Sequence, residues 1–205
     1  MSEGPPRVAL TFDAEHPDRP LCPPGNAELI LATLRDAGVR ATFFVQGRWA
    51  RSQPDTARRI AEDGHLVGHH SHYHARMPLF SADGLREDLR DGEEAIREVV
   101  GVDPRPWFRC PFGAGHDDPR VLGALEDLGY RNVHWDVELQ DWEPWRTAGD
   151  VAREAVEGAL EHGDGAVVLL HTWPAPTAEA LPEILERLSV SGARFATVGE
   201  LERLP

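Results

Sequence analysis

Ala166-Val167-Val168-Leu169-Leu170 is the most confining stretch of this chain: an unbroken apolar run followed at once by His171. Such a run, rich in β-branched valine, reads as a strand covered on both faces. Similar short runs recur. Val8-Ala9-Leu10-Thr11-Phe12 ends in the acidic cluster Asp13-Ala14-Glu15-His16. Ala41-Thr42-Phe43-Phe44-Val45 is a second strand, and His65-Leu66-Val67-Gly68 a brief third that delivers His70 and His74. Trp107-Phe108-Arg109, Asn132-Val133-His134-Trp135 and a last strand near Arg194-Phe195-Ala196-Thr197 complete the set.

The intervals between these runs carry helical patterns. Asn26 is expected to cap a helix bearing Leu29, Ile30, Ala32, Thr33 and Leu34 and stopped by Gly38. Pro54 to Asp63 forms the next, with Gly64 just past its end. Ser81 opens a long charged helix with Leu85, Leu89, Ile96 and Val99 on its inner face, weakened in the middle by Gly92. Asp118 and Pro119 open another as cap and first helical residue, closed by Gly129. Two more run from about Thr147 to Glu161 and from about Ala178 to Leu188. Strand and helix thus alternate about seven times, a pattern of parallel strands joined by helical crossovers, either closed into a barrel or doubly wound. In such folds sites form at the carboxyl ends of the strands. Asp13, His70, Arg109, Asp136 and His171 each fall at or just after such an end.

A chain of 205 residues can bury one good core, and a single domain over residues 1–205 is expected. Its net charge of −14 makes nucleic acid and anionic membrane poor partners. The two cysteines, Cys22 and Cys110, allow at most one bridge, and two free thiols in a reducing compartment is the reading adopted. The start Met1-Ser2-Glu3-Gly4-Pro5-Pro6 lacks the basic, apolar, small-residue order of a secretory signal, and no apolar run approaches membrane-spanning length. The chain reads as cytoplasmic, with a processed secreted form as the alternative.

His70-Ser71-His72-Tyr73-His74 carries the chemistry most open to reading. On one helical turn, imidazoles four residues apart lie one above the other and can hold one ion about 2.0–2.1 Å from each nitrogen. His69 and His72 offer a second register.

Taken in order, the motifs resemble those of the NodB-type polysaccharide deacetylases, carbohydrate esterase family 4, from Thr11 to about Thr172. The histidine motif reads His70-Ser71-His72-Tyr73-His74, and the arginine motif Arg109-Cys110-Pro111-Phe112-Gly113. An Asp-Trp pair reads Asp141-Trp142, and the leucine-rich strand ends Leu169-Leu170-His171. The resemblance implies a distorted, incomplete (β/α) barrel of about seven parallel strands and metal-dependent removal of N- or O-acetyl groups. The first motif departs from the family form T-F-D-D-G, in which the first Asp is the base and the second a ligand. Here it reads Thr11-Phe12-Asp13-Ala14-Glu15, and Ala14 cannot ligate. Asp13 is therefore expected as base and Glu15 as third metal ligand beside His70 and His74. The rival assignments are Asp13 as ligand, or no metal at all. Zinc is the default ion, with Co2+, Ni2+ or Mn2+ as alternatives.

By the same resemblance Arg109 orients Asp13 through a charge-assisted hydrogen bond, and Asp141 positions Arg109. The backbone N–H of Phe112 faces the oxyanion, and His171 protonates the leaving amine. Asp136 and Glu138 read as solvated or structural, with tuning of His171 as the alternative. Among the tryptophans, Trp142 and Trp173 are pocket candidates, Trp107 and Trp135 are assigned to core packing, and Trp145 lies near a strand end. The expected partner is an acetylated amino sugar or related small molecule, with the oligomeric state open. The competing readings are an amidohydrolase of the same fold acting on a small acyl or cyclic amide, and a binding module without catalysis.

Overall fold

A computed structural model of the chain describes residues 4–16 and 24–201. Cys22 lies outside the described residues, while Cys110 is a free, buried thiol. The strands are β1 (Arg7–Ala14), β2 (Thr42–Val45), β3 (Leu66–His69), β4 (Trp107–Phe108), β5 (Arg131–Asn132), β6 (Val137–Glu138), β7 (Ala166–His171) and β8 (Arg194–Phe195). All pairings are parallel, in the order β5-β4-β3-β2-β1-β7-β6. β8 joins β1 at Arg7 and Val8, on the edge that β2 takes from Thr11 to Ala14. The sheet curls into an incomplete (β/α) barrel, as the motif resemblance implied.

The helices are α1 (Asn26–Asp36), α2 (Gly47–Ser52), α3 (Pro54–Glu62), α4 (Ala82–Val99), α5 (Pro119–Asp127), α6 (Ala148–His162), α7 (Ala175–Val190) and α8 (Val198–Leu201). Ser81, Asp118 and Thr147 cap α4, α5 and α6 by accepting a backbone N–H with their side chains. Asn26 is not a cap. Gly25, in the left-handed conformation, precedes α1, and the Asn26 amide donates instead to the Trp173 carbonyl, 2.8 Å away. Three short elements, α2, β6 and α8, have no counterpart in the sequence reading. No described helix is long and apolar enough to cross a membrane.

Strand alternation sorts the side chains into two environments. Val8, Leu10, Phe12 and Ala14 of β1, with Phe43 and Val45 of β2 and Val168 and Leu170 of β7, face outward into the main core shared with the helices. The opposite face lines the barrel. At its amino end Ala9, Trp107 and Val198 fill it with apolar bulk, and Phe44, in register with Asp13, carries this packing up to the site. Towards the carboxyl end the lining turns polar: Thr11 comes first, then Asp13, in register with His171 of β7. The barrel is therefore plugged at one end and chemically equipped at the other.

Candidate active site

Register brings the strand ends together. The Arg109 N–H donates to the His69 carbonyl, His70 N–H to that of Val45, and Thr172 N–H to that of Asp13. Asp13, Glu15, His70, His74 and His171 thereby share one cavity of about 310 Å³.

Residues 70–74 do not form the helical turn that the i,i+4 spacing suggested. They are a loop in which Ser71 and His74 take left-handed conformations, φ 66° and 59°. Buried Asp88 of α4 accepts the His72 and Tyr73 N–H groups, and Ser71 Oγ accepts that of His74. This folding turns His70 and His74 to the same point, ring centroids 5.0 Å apart. The second register does not form. His69 packs against Phe108 and Tyr130, and the His72 ring lies by Gly47 at the start of α2.

Glu15, His70 and His74 each place one ligand atom within 4.8 Å of the others. Glu15 Oε2 stands 3.2 Å from His70 Nε2 and also contacts His74 Nε2. Ligands about 2.0–2.1 Å from one tetrahedral ion stand ~3.4 Å apart, so this set fits a divalent metal. His70 Nδ1 lies 2.9 Å from the Arg109 carbonyl oxygen, which only accepts, so Nδ1 carries the hydrogen and Nε2 is presented to the ion. Burial would raise the Glu15 carboxyl, yet hydrogen bonds from His16, His70 and His74 hold it well below the usual carboxylate range. Burial opposes the charge on His70, but Asp13 and Glu15 raise it; at His74 burial wins and lowers it.

Two ion pairs flank this set. Arg109, fully buried, donates from Nη1 to Asp13 Oδ1 at 2.9 Å and to Thr11 Oγ1 at 2.8 Å. Its guanidinium lies over the Phe44 ring, 4.1 Å from the centroid. The second pair corrects an expectation. Asp141 does not position Arg109; its Oδ1 lies 2.7 Å from His171 Nδ1, and its Oδ2 accepts the His171 N–H and the Thr177 hydroxyl. Burial works against a charged His171, but Asp141 outweighs it, with Glu15 and Asp13 adding, and the imidazole is raised to about 9.

The remaining expectations divide. Phe112 (φ 58°), Trp142 and Trp173 line the cavity as expected. Trp107 is core, but Trp135 is not: it is half-buried, lines the cavity and stacks on His134. Trp145 is exposed. Asp136 is structural, accepting the Val167 N–H, whereas Glu138 lines the cavity. Sequence reasoning missed His16, Arg76 and Leu169 of the lining. Of these, His16 directly follows Glu15 in the altered first motif, which was the available signal.

The chain is similar to known proteins. A family model for polysaccharide deacetylases matches residues 2–133. An uncharacterized 30.6 kDa protein of Geobacillus stearothermophilus is 32% identical over 95% of this chain and 70% of its own length. The peptidoglycan-N-acetylglucosamine deacetylase PgdA of Listeria monocytogenes is 33% identical over 95% of this chain, which spans only 38% of that protein. A family 4 carbohydrate esterase from Streptomyces lividans, solved in complex with acetate, superposes with a TM-score of 0.81 at 29% identity, covering 93% of this chain and 92% of its own. With its barrel, its ordered motifs and these matches, the chain belongs to the polysaccharide deacetylase family, the NodB-type carbohydrate esterases of family 4.

Proposed function

We propose that this chain hydrolyses the acetamide of an acetylated amino sugar, with a divalent transition metal, zinc by default, held by Glu15, His70 and His74. The observation that carries the reading is the pairing of the flanking groups. Asp13 is held by Arg109 on one side of the ligand set, and His171 by Asp141 on the other. A carboxylate fixed by a guanidinium is suited to take a proton. An imidazole held protonated by a carboxylate is suited to give one.

The roles follow from these states. Asp13 Oδ1 is occupied by Arg109, so Oδ2 is the oxygen that takes the proton of the attacking water. As the tetrahedral intermediate forms, the Phe112 N–H donates to its oxyanion, the role implied by the family motif. His171 Nε2, with Nδ1 engaged by Asp141, delivers a proton to the departing amine nitrogen. A bound metal supplies Lewis acidity to the acyl carbonyl and to the water. Trp135, Trp142 and Trp173 offer aromatic surface to a sugar ring.

The test combines elemental analysis of the zinc-loaded protein with acetate release from a panel of N-acetylated amino sugars, including peptidoglycan fragments, and a small cyclic amide. Expected are one metal per chain and acetate from an amino sugar. Asp13→Asn should abolish hydrolysis and keep the metal, while Glu15→Gln should weaken metal binding. The reverse pattern would exchange the two roles, and a protein that takes up no metal would overturn the ligand set.

A further inference from the structure

Glu15 is an unusual ligand by its place in the strand. Side chains at 13 and 15 share the barrel face, while Ala14 between them points into the main core. A ligand at 15 therefore stands one step beyond the end of β1, where the ladder no longer fixes it. The carboxylate is instead fixed by side chains, and its two oxygens are divided between different partners. Oε2 faces His70 and His74. Oε1 faces His16 Nε2 at 2.8 Å and Trp173 Nε1 at 3.2 Å. The indole N–H can only donate, and Oε1 accepts it.

We infer that His16 and Trp173 are positioning residues that hold Glu15 as a one-oxygen metal ligand. The inference rests on the metal site proposed above. Each residue is itself held. His16 takes a left-handed backbone conformation, φ 58°, which folds its ring back over Glu15, and its N–H donates to Gln46 Oε1 at 3.1 Å. The Gln46 amide in turn donates to the His72 carbonyl at 3.1 Å, joining this turn to the histidine loop. The His16 ring packs edge-on against both His74 and Trp173, centroids 4.6 Å and 5.8 Å away. The Trp173 carbonyl accepts from Asn26, pinning that loop to the start of α1. With Oε1 occupied by two donors, only Oε2 is left for an ion. Removing a donor frees Oε1 to turn towards the ion or the carboxylate to swing away.

The test is zinc affinity by competition with a chromophoric chelator, without substrate, on wild type, His16→Ala, His16→Gln and Trp173→Phe. Loss of an outer-shell partner weakens metal binding by about 10–100-fold, the expectation for His16→Ala and Trp173→Phe. His16→Gln keeps an N–H donor at similar reach and should recover most of the affinity. In the cobalt-loaded protein the visible band should shift in His16→Ala and return in His16→Gln, which a general packing defect would not reproduce. Melting of the metal-free variants separates misfolding from weakened binding, with Trp173→Phe as the milder substitution. Wild-type affinity in both donor-deleted variants overturns the inference. So does a His16→Ala loss as complete as that of His70→Ala with no rescue by Gln, which would make His16 a ligand. If the expected pattern is found but wild type releases no acetate, the clamp stands and the deacetylase reading fails. If wild type binds no zinc, both fail.

Discussion

His171 and Asp141 form the pair whose removal speaks most directly about chemistry. An amine leaves poorly unless it is protonated, so His171→Ala should lower turnover on amides by roughly 10²–10⁴. Activated esters, with better leaving groups, should suffer less, and equal losses on both would mark His171 as structural. Asp141→Asn keeps the shape and removes the charge that raises the imidazole to about 9. An acid must be protonated to act, so activity falls as pH rises through its pKa. With that pKa reduced, the alkaline limb of kcat/KM in Asp141→Asn should move to lower pH; an unmoved limb would detach it from His171. At this scale the sequence was readable where a motif names a residue type: Asp13, Glu15, His70, His74, Arg109 and His171 all converge. It misled where a role depends on which neighbour a side chain meets. The motif order pairs Asp141 with Arg109 instead of His171, because only the register of β6 on β7 decides that. Trp135 reads as core, because nothing local says that a ring in the segment between β5 and β6 faces the cavity.

At the scale of elements, the crossing of α2 and α4 behind the histidine loop is where local preference and packing disagree most. Gly92 in the middle of α4 costs helix propensity of about 1 kcal/mol relative to alanine. The reason for it lies outside the helix. A Cβ on Gly92 would fall 2.1 Å from His69 Nε2, and one on Gly47 would fall 2.9 Å from Gly92 Cα. The His69 ring, boxed by Phe108 and Tyr130, has no room to retreat. Gly92→Ala is therefore expected to destabilise by about 1–3 kcal/mol, the range for overpacked cores, despite its better propensity. Denaturant midpoints check this, and a stabilised variant would show that propensity wins. The same crossing marks the limit of pattern reading. The long helix α4 announces itself by Ser81 and an apolar stripe, and α5 by its Asp118-Pro119 start. α2 has one turn and a half, Gly47–Ser52, too short to display a period, yet its start receives the histidine loop through Gly47 N–H and the Ser71 carbonyl. β6 has two residues and is held by β7 alone, so its own sequence carries no strand signal.

At the scale of the whole molecule, the polar groups of the barrel gather at its carboxyl end, and the apolar core outside the sheet holds a buried imidazole in neutral form. His65, buried just before β3, shows the consequence. Its Nδ1 accepts the Ala41 N–H at 3.1 Å, which requires an unprotonated nitrogen, and its ring packs against Phe43. Burial, reinforced by Arg40 and only partly opposed by Asp63, lowers this imidazole from 6.5 to about 4. The unfolded chain takes up the proton near the ordinary value, while the folded chain resists it until about pH 4. Between those values the unfolded state binds more protons, so stability falls as pH falls through that window. One such group contributes a slope of at most ~1.4 kcal/mol per pH unit, and nothing above its unfolded pKa. His65→Asn isolates the effect, because the Asn oxygen can still accept from Ala41 and does not titrate. Denaturant unfolding of the metal-free protein at pH 7, 6 and 5 should show wild type losing stability faster than His65→Asn below about pH 6.5, with the two curves parallel above it. Carboxylates titrating at the acid end are common to both proteins and cancel in the difference. Curves that stay parallel down to pH 5 would mean that His65 accepts its proton without leaving Ala41, and that the core beside Phe43 is not the dry, charge-excluding environment its packing describes.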